Sequence, residues 1–82
     1  MLITIWTGQA FDTDRDLSAA ERHILQKLLL WEVMAGSLEE FRQKVTRALQ
    51  VGWNDSGPVR ESRALGLIIQ DLEKKVAARL KM

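Results

Sequence analysis

Residues 18–40, SAAERHILQKLLLWEVMAGSLEE, decide the fold that the sequence predicts. The first four of them, SAAE, form a capping box. In this motif the serine hydroxyl accepts a hydrogen bond from the backbone N–H of the glutamate, and the glutamate carboxylate accepts one from the backbone N–H of the serine. Apolar residues then recur at helical spacing as far as Gly36, which we expect to end the helix with a positive φ. Residues 37–40, SLEE, repeat the capping pattern at once. The sequence therefore predicts two helices, 18–35 and 37–51, joined by a tight turn into a helical hairpin.

The end of the second helix is marked by Gly52, and we expect Trp53 after it to pack back onto Ala48. Residues 54–58, NDSGP, are typical of a loop between helices. The proline at the end of this stretch fits the first turn of a helix, where its missing N–H costs little. We therefore predict that a third helix begins at Pro58.

The third helix is predicted over residues 58–80. Its apolar positions repeat at three and four residues, as in a heptad seam: Leu65, Ile69, Leu72, Val76 and Leu80. Gly66 interrupts this pattern at a cost of about 1 kcal/mol relative to alanine. Because the apolar stripe keeps its phase across the glycine, one continuous helix is predicted.

The N-terminal segment differs in kind, because residues 2–7, LITIWT, are mostly β-branched or aromatic and end before a glycine. They predict one short strand. No second strand signal is visible, so this strand is expected either to lie extended across the helices or to pair with its copy in a second subunit. The predicted fold class is an all-α three-helix domain over residues 1–82, with an extended arm and acidic loop over residues 1–17.

The composition is that of a small folded protein, with 46% hydrophobic and 28% charged residues in a chain of 82. Twelve basic residues against eleven acidic ones leave a net charge of +1, which excludes a strong overall field for nucleic acid or an anionic membrane. No apolar stretch approaches the roughly 18 residues that a membrane span requires. With no cysteine and no visible targeting segment, we expect a cytoplasmic protein without membrane contact.

Few residues offer catalytic or metal-binding chemistry. Asp12, Asp14 and Asp16 alternate like the start of a calcium loop, but the positions that need glycine and glutamate hold Leu17 and His23. The single histidine has no recognisable catalytic partner nearby, no serine lies in a nucleophile elbow, and no phosphate-binding glycine loop is present. We therefore expect no enzyme activity, no metal and no cofactor.

The first predicted helix carries more apolar surface than a three-helix domain needs. At 100° per residue, Leu30 and Met34 fall roughly opposite the main apolar face, and Val33 lies between that face and theirs. If they were exposed beside Trp6, they would form an interaction patch. The predicted function is therefore a small non-enzymatic protein–protein interaction or adaptor module, whose partner is a second copy in a homodimer or a heterologous protein.

A small DNA-binding transcriptional regulator is the alternative function. Its nucleic-acid contacts would be Arg60, Arg63, Lys74 and Lys75. The stretch from Gly52 to the third helix is longer than the turn of a helix-turn-helix unit, and the N-terminal strand lacks the polar side chains with which a ribbon-helix-helix dimer reads bases. Nucleic-acid binding is therefore the less favoured prediction.

Overall fold

The computed structural model describes residues 1–52 and 56–81, and within them the chain is mostly helical. Two short strands, β1 (Leu2–Thr4) and β2 (Ala10–Asp12), precede four helices: α1 (Thr13–Asp16), α2 (Ala19–Met34), α3 (Leu38–Val51) and α4 (Arg63–Leu80). The prediction of a helical fold with a short N-terminal β segment is confirmed. The three predicted helices correspond to α2, α3 and α4, and the single-turn helix α1 is an addition to them.

The expectation that the N-terminal strand has no partner strand within its own chain is wrong. β1 pairs with β2 in an antiparallel hairpin whose central pair is Ile3 opposite Phe11. Gly8, with a φ of 89°, belongs to the turn, and Ile5 and Phe11 are buried. The second strand has only three residues and a single strongly β-favouring side chain, so its pairing depends on the burial of Phe11 rather than on propensity.

The connection between α2 and α3 is as tight as predicted, but its capping differs in detail. The Ser18 capping box is complete, and α2 ends at Met34. At α3, the Ser37 hydroxyl accepts from the Glu40 N–H, while the Glu40 carboxylate accepts from the Gly36 N–H at 3.1 Å instead of from the serine. Gly36 does not have the positive φ that we expected, because this carboxylate caps the turn instead.

Helix α3 ends at Gly52, whose φ of 81° agrees with the predicted stop. Trp53, Asn54 and Asp55 lie outside the described residues, so the predicted contact of this tryptophan is not addressed. Helix α4 begins five residues later than expected, because Ser62 is its N-cap and accepts from the Leu65 N–H. Pro58 therefore precedes α4 instead of opening it, whereas Gly66 lies inside one continuous helix, as predicted.

The long helices pack with α2 and α4 parallel and α3 running the other way. The N-terminal ends of α2 and α4 meet where the Ser62 N–H donates to Glu21. Their C-terminal ends meet where the guanidinium of Arg79 donates to the backbone carbonyl groups of Glu32 and Ala35. Arg79 thus satisfies carbonyl groups that the end of α2 would otherwise leave without a partner.

One hydrophobic core joins all the longer elements. Its largest fully buried side chains come from α2, α3 and α4: Ile24, Leu25, Leu28, Phe41, Leu65, Ile68 and Val76. The hairpin adds Ile5 and Phe11 to the same cluster, so it is part of the core and not a detachable arm.

Candidate functional site

The outward face of α2, formed by Leu29, Leu30, Val33 and Met34, is an apolar surface that no described element covers. Their exposed fractions are 37%, 55%, 59% and 67%. The opposite side of α2 is buried, because it packs into the core with Ile24, Leu25 and Leu28. Since successive residues of a helix are rotated by 100°, a helix buried on one side must present these four side chains on the other.

Met1 lies near Leu29 in a cleft that is otherwise lined mostly by polar residues of α1 and α2. Its side chain lines this cleft together with Leu25 and Leu29 of α2, and it is itself exposed. Leu2 in β1 is also exposed, at 72%. Nearer the N-terminus of α2, the outward side carries the exposed polar residues Gln26 and Lys27. The apolar surface is therefore confined to the C-terminal half of α2.

Trp6, the fourth residue of the predicted interaction surface, lies on a different element. Its backbone N–H donates to Asp71 Oδ1 of α4 at 3.1 Å, and its ring centroid lies 5.0 Å from Lys74 Nζ. The indole is 47% exposed. The structure thus brings Leu30, Val33 and Met34 together on α2 and holds Trp6 against α4.

Two of the basic residues of the alternative nucleic-acid surface already have partners within the chain. Lys75 Nζ lies 3.2 Å from Asp71 Oδ2, and Lys74 lies over the ring of Trp6. Arg60 and Arg63 instead line a cleft at the N-terminal end of α4. A rise of 1.5 Å per residue places Lys74 about 16 Å along the helix from Arg63. The four residues therefore form two separate pairs.

Glu21 is a buried carboxylate whose role between helices was not predicted. Only 4% of the residue is exposed, and its two oxygens accept from the backbone N–H groups of Ser18 and Ser62, both at 2.9 Å. Burial acts to raise the pKa of Glu21, but these hydrogen bonds to the charged form outweigh it and hold the pKa below its ordinary value. The capping box predicted the first bond; nothing in the sequence indicated the second.

A groove between α2 and α3 is the other feature that the sequence did not reveal. Trp31, Lys44 and Arg47 line it, and the Lys44 ammonium lies 5.9 Å from the centroid of the Trp31 ring. The spacing of Lys44 and Arg47 places both on one side of α3, but only the packing of α2 on α3 sets an aromatic ring opposite them.

The described residues contain no group of three or more His, Cys, Asp or Glu side chains that could hold a metal ion. None of the helices within residues 1–52 and 56–81 combines the length and apolar character needed to cross a membrane. No protein-family model, curated protein or solved structure matches this chain.

Proposed function

We propose that this protein is a small non-enzymatic protein–protein interaction module that associates with a second copy of itself through the outward face of α2. The observation that carries the proposal is the exposure of four large apolar side chains on one face of one helix. Contiguous apolar surface of this kind on a small protein marks an interaction site. We further propose that the module acts in the cytoplasm, as its lack of cysteine suggests.

A second copy fits this face because the face is self-complementary. Two α2 helices related by a twofold axis near Leu30 would run antiparallel, and each would place Val33 and Met34 beside Gln26 and Lys27 of the other copy. The aliphatic stem of a lysine can cover apolar surface while its ammonium stays in water. An isologous contact of this type closes on itself and leaves no free patch for further growth.

The energetics allow no more than a weak dimer. Burying an exposed leucine, valine or methionine contributes about 1.5 to 3 kcal/mol. The four side chains are roughly half exposed, so burying them in both copies contributes about 6 to 12 kcal/mol. Association costs about 4 to 15 kcal/mol, and the face is smaller than the roughly 800 Å² per partner of a standard interface. These terms leave at most about 8 kcal/mol for association, so we expect a dissociation constant no lower than about 1 μM.

The proposal is tested by measuring molar mass in a concentration series by sedimentation equilibrium. The full chain is expected to move from monomer to dimer across the range, and Leu30→Glu is expected to stay monomeric with unchanged helicity and melting temperature. Gln70→Glu adds the same charge at an exposed position of α4 and serves as the matched control. A full chain that stays monomeric up to about 1 mM, or a Leu30→Glu protein that still dimerises, contradicts the proposal.

The DNA-binding alternative has less support, because Lys74 and Lys75 are engaged by Trp6 and Asp71. It predicts binding to duplex DNA that weakens steeply with salt and a shallower salt slope when Arg60 and Arg63 are both replaced by glutamine. A heterologous partner is indicated if Leu30→Glu leaves the molar mass measured by sedimentation equilibrium unchanged but abolishes binding to one defined protein.

A further inference from the structure

The groove between α2 and α3 has the size and lining of a small-ligand site. Its volume is about 600 Å³, within the range in which proteins bind small organic molecules. Ile24 and Trp31 of α2, with Ala48 and Val51 of α3, form its apolar part. Trp31 is only half-buried, so part of its indole ring is accessible from the groove.

The charged side chains among the described residues that line this groove are all basic. Lys27 lies on the α2 wall and Lys44 and Arg47 lie on the α3 wall, and no acidic residue is among the described residues that line it. Lys44 also forms an ion pair with Glu40, whose carboxylate lies 3.4 Å from its ammonium, one turn earlier on the same helix. Arg47 makes no ion pair with any residue of 1–52 or 56–81. Within the described residues, an arginine that has no ion pair thus lines the same groove as Trp31.

We propose that this groove binds an organic anion that has a flat aromatic body. The aromatic body would stack on Trp31 and cover Ala48 and Val51, and its carboxylate, sulfonate or phosphate group would lie between Lys44 and Arg47. Arginine suits this role because its planar, weakly hydrated guanidinium binds oxyanions in a bidentate manner. The ring of the ligand supplies apolar area and the anionic group supplies orientation.

The groove is distinct from the outward face of α2. Trp31 and Val33 point to opposite sides of that helix, because two residues at 100° each separate them by about 200°. The lining residues Lys44 to Val51 span about 10 Å of α3, which suits two fused rings with one charged substituent. The groove therefore shares only Lys27 with the proposed dimer contact, and the apolar side chains of the outward face take no part in it.

The test is a titration of the full ¹⁵N-labelled chain with naphthalene-2-sulfonate, followed by amide chemical shifts. The neutral probe 2-naphthalenemethanol has the same ring system without the charge and is titrated in parallel. We expect saturable shifts over residues 44–52 with a dissociation constant below about 1 mM, and binding of the neutral probe at least about tenfold weaker. The double variant Lys44→Gln/Arg47→Gln is expected to weaken sulfonate binding about tenfold or more.

Two control variants separate this site from adventitious binding. Arg60→Gln removes a cation that does not line the groove and is expected to leave the affinity unchanged. Leu30→Glu disrupts the outward face of α2 and is also expected to leave the affinity for the sulfonate unchanged. Dimerisation can therefore fail while the groove still binds the probe. The proposal is overturned if no saturable shift appears, if the two probes bind equally, if Arg60→Gln weakens binding as much as the double variant, or if the shifts map to Leu29, Leu30, Val33 and Met34 and not to residues 44–52.

Discussion

Glu21 is the side chain whose replacement should reveal most directly how α2 and α4 are held together. Its carboxylate accepts one backbone N–H at the start of each helix, at Ser18 and Ser62. Glu21 and Ser62 are 41 positions apart in the chain. Glu21→Ala removes both acceptors, whereas Glu21→Gln keeps one amide oxygen but loses the charge and turns an NH₂ group toward a donor.

The expected loss in the free energy of unfolding follows from these two hydrogen bonds. A hydrogen bond to a charged group contributes about 1.5 to 3 kcal/mol, and water can reach the freed N–H groups in part because Ser18 is exposed and Ser62 is half-buried. We expect Glu21→Ala to lower the free energy of unfolding by about 2 to 4 kcal/mol and Glu21→Gln by about half as much. For a domain of this size such a loss lowers the melting temperature by about 10 to 25 °C for the alanine variant.

The pH dependence gives a second, independent readout. Because hydrogen bonding holds the folded-state pKa of Glu21 below its ordinary value, its ionised form stabilises the folded state. That contribution is complete above the unfolded pKa, about 4.3, and is lost as the pH falls through the lower folded value. Glu21→Gln cannot titrate, so the stability difference between it and the original chain should shrink as the pH is lowered from 7 to about 3.

Urea unfolding followed by far-ultraviolet circular dichroism at a series of pH values measures both effects. Glu40→Ala serves as the comparison, since Glu40 also accepts a backbone N–H, that of Gly36, but lies at a more exposed turn. Its effect should be smaller than that of Glu21→Ala. The reasoning is refuted if Glu21→Ala is no less stable than Glu40→Ala at pH 7, or if the difference between the original chain and Glu21→Gln is as large at pH 3 as at pH 7.

Two further predictions concern backbone geometry and the hairpin. Gly52 and Gly8 both have a positive φ, 81° and 89°, but a Cβ at Gly52 would overlap the carbonyl oxygen of Gly57, whereas nothing lies within 4 Å of one at Gly8. Gly52→Ala should therefore shift the urea midpoint well below that of Gly8→Ala, and equal midpoints would disprove this reading. Asp71→Ala removes the acceptor of the Trp6 N–H and should cost about 1.5 to 3 kcal/mol while speeding amide exchange at Trp6; unchanged exchange there would show that the bond does not hold the hairpin on α4.

The helix boundaries show which helix ends can be predicted from local sequence. Ser18, Ser37 and Gly52 were predicted as helix ends, and each is one in the structure. Their signals work because a cap is completed by groups within three or four residues of each other. The start of α4 was misplaced at Pro58 because a proline is compatible with a first turn but does not require one. Ser62 is the N-cap instead, where its N–H also meets the carboxylate of Glu21.

The candidate site was predictable in part. The helical spacing of Leu30, Val33 and Met34 indicated that these side chains face away from the main apolar stripe, and all three are exposed in the folded chain. Their grouping with Trp6 depended on where the N-terminal segment lies, and that segment is held by Asp71 on a helix 65 residues away in the chain. The groove between α2 and α3 likewise needs the packing of two helices before it exists.

The sequence by itself determined the helical class, the tight turn between α2 and α3, the continuity of α4 across Gly66 and the surplus of apolar surface on α2. All of these depend on interactions between residues a few positions apart, which spacing and residue type record directly. Only the tertiary structure decided that β1 pairs with β2, that Glu21 joins two helix starts and that Lys44 and Arg47 face Trp31. These features come from contacts between distant segments, where the free energy gained by burial and by long-range hydrogen bonds outweighs weak local preference.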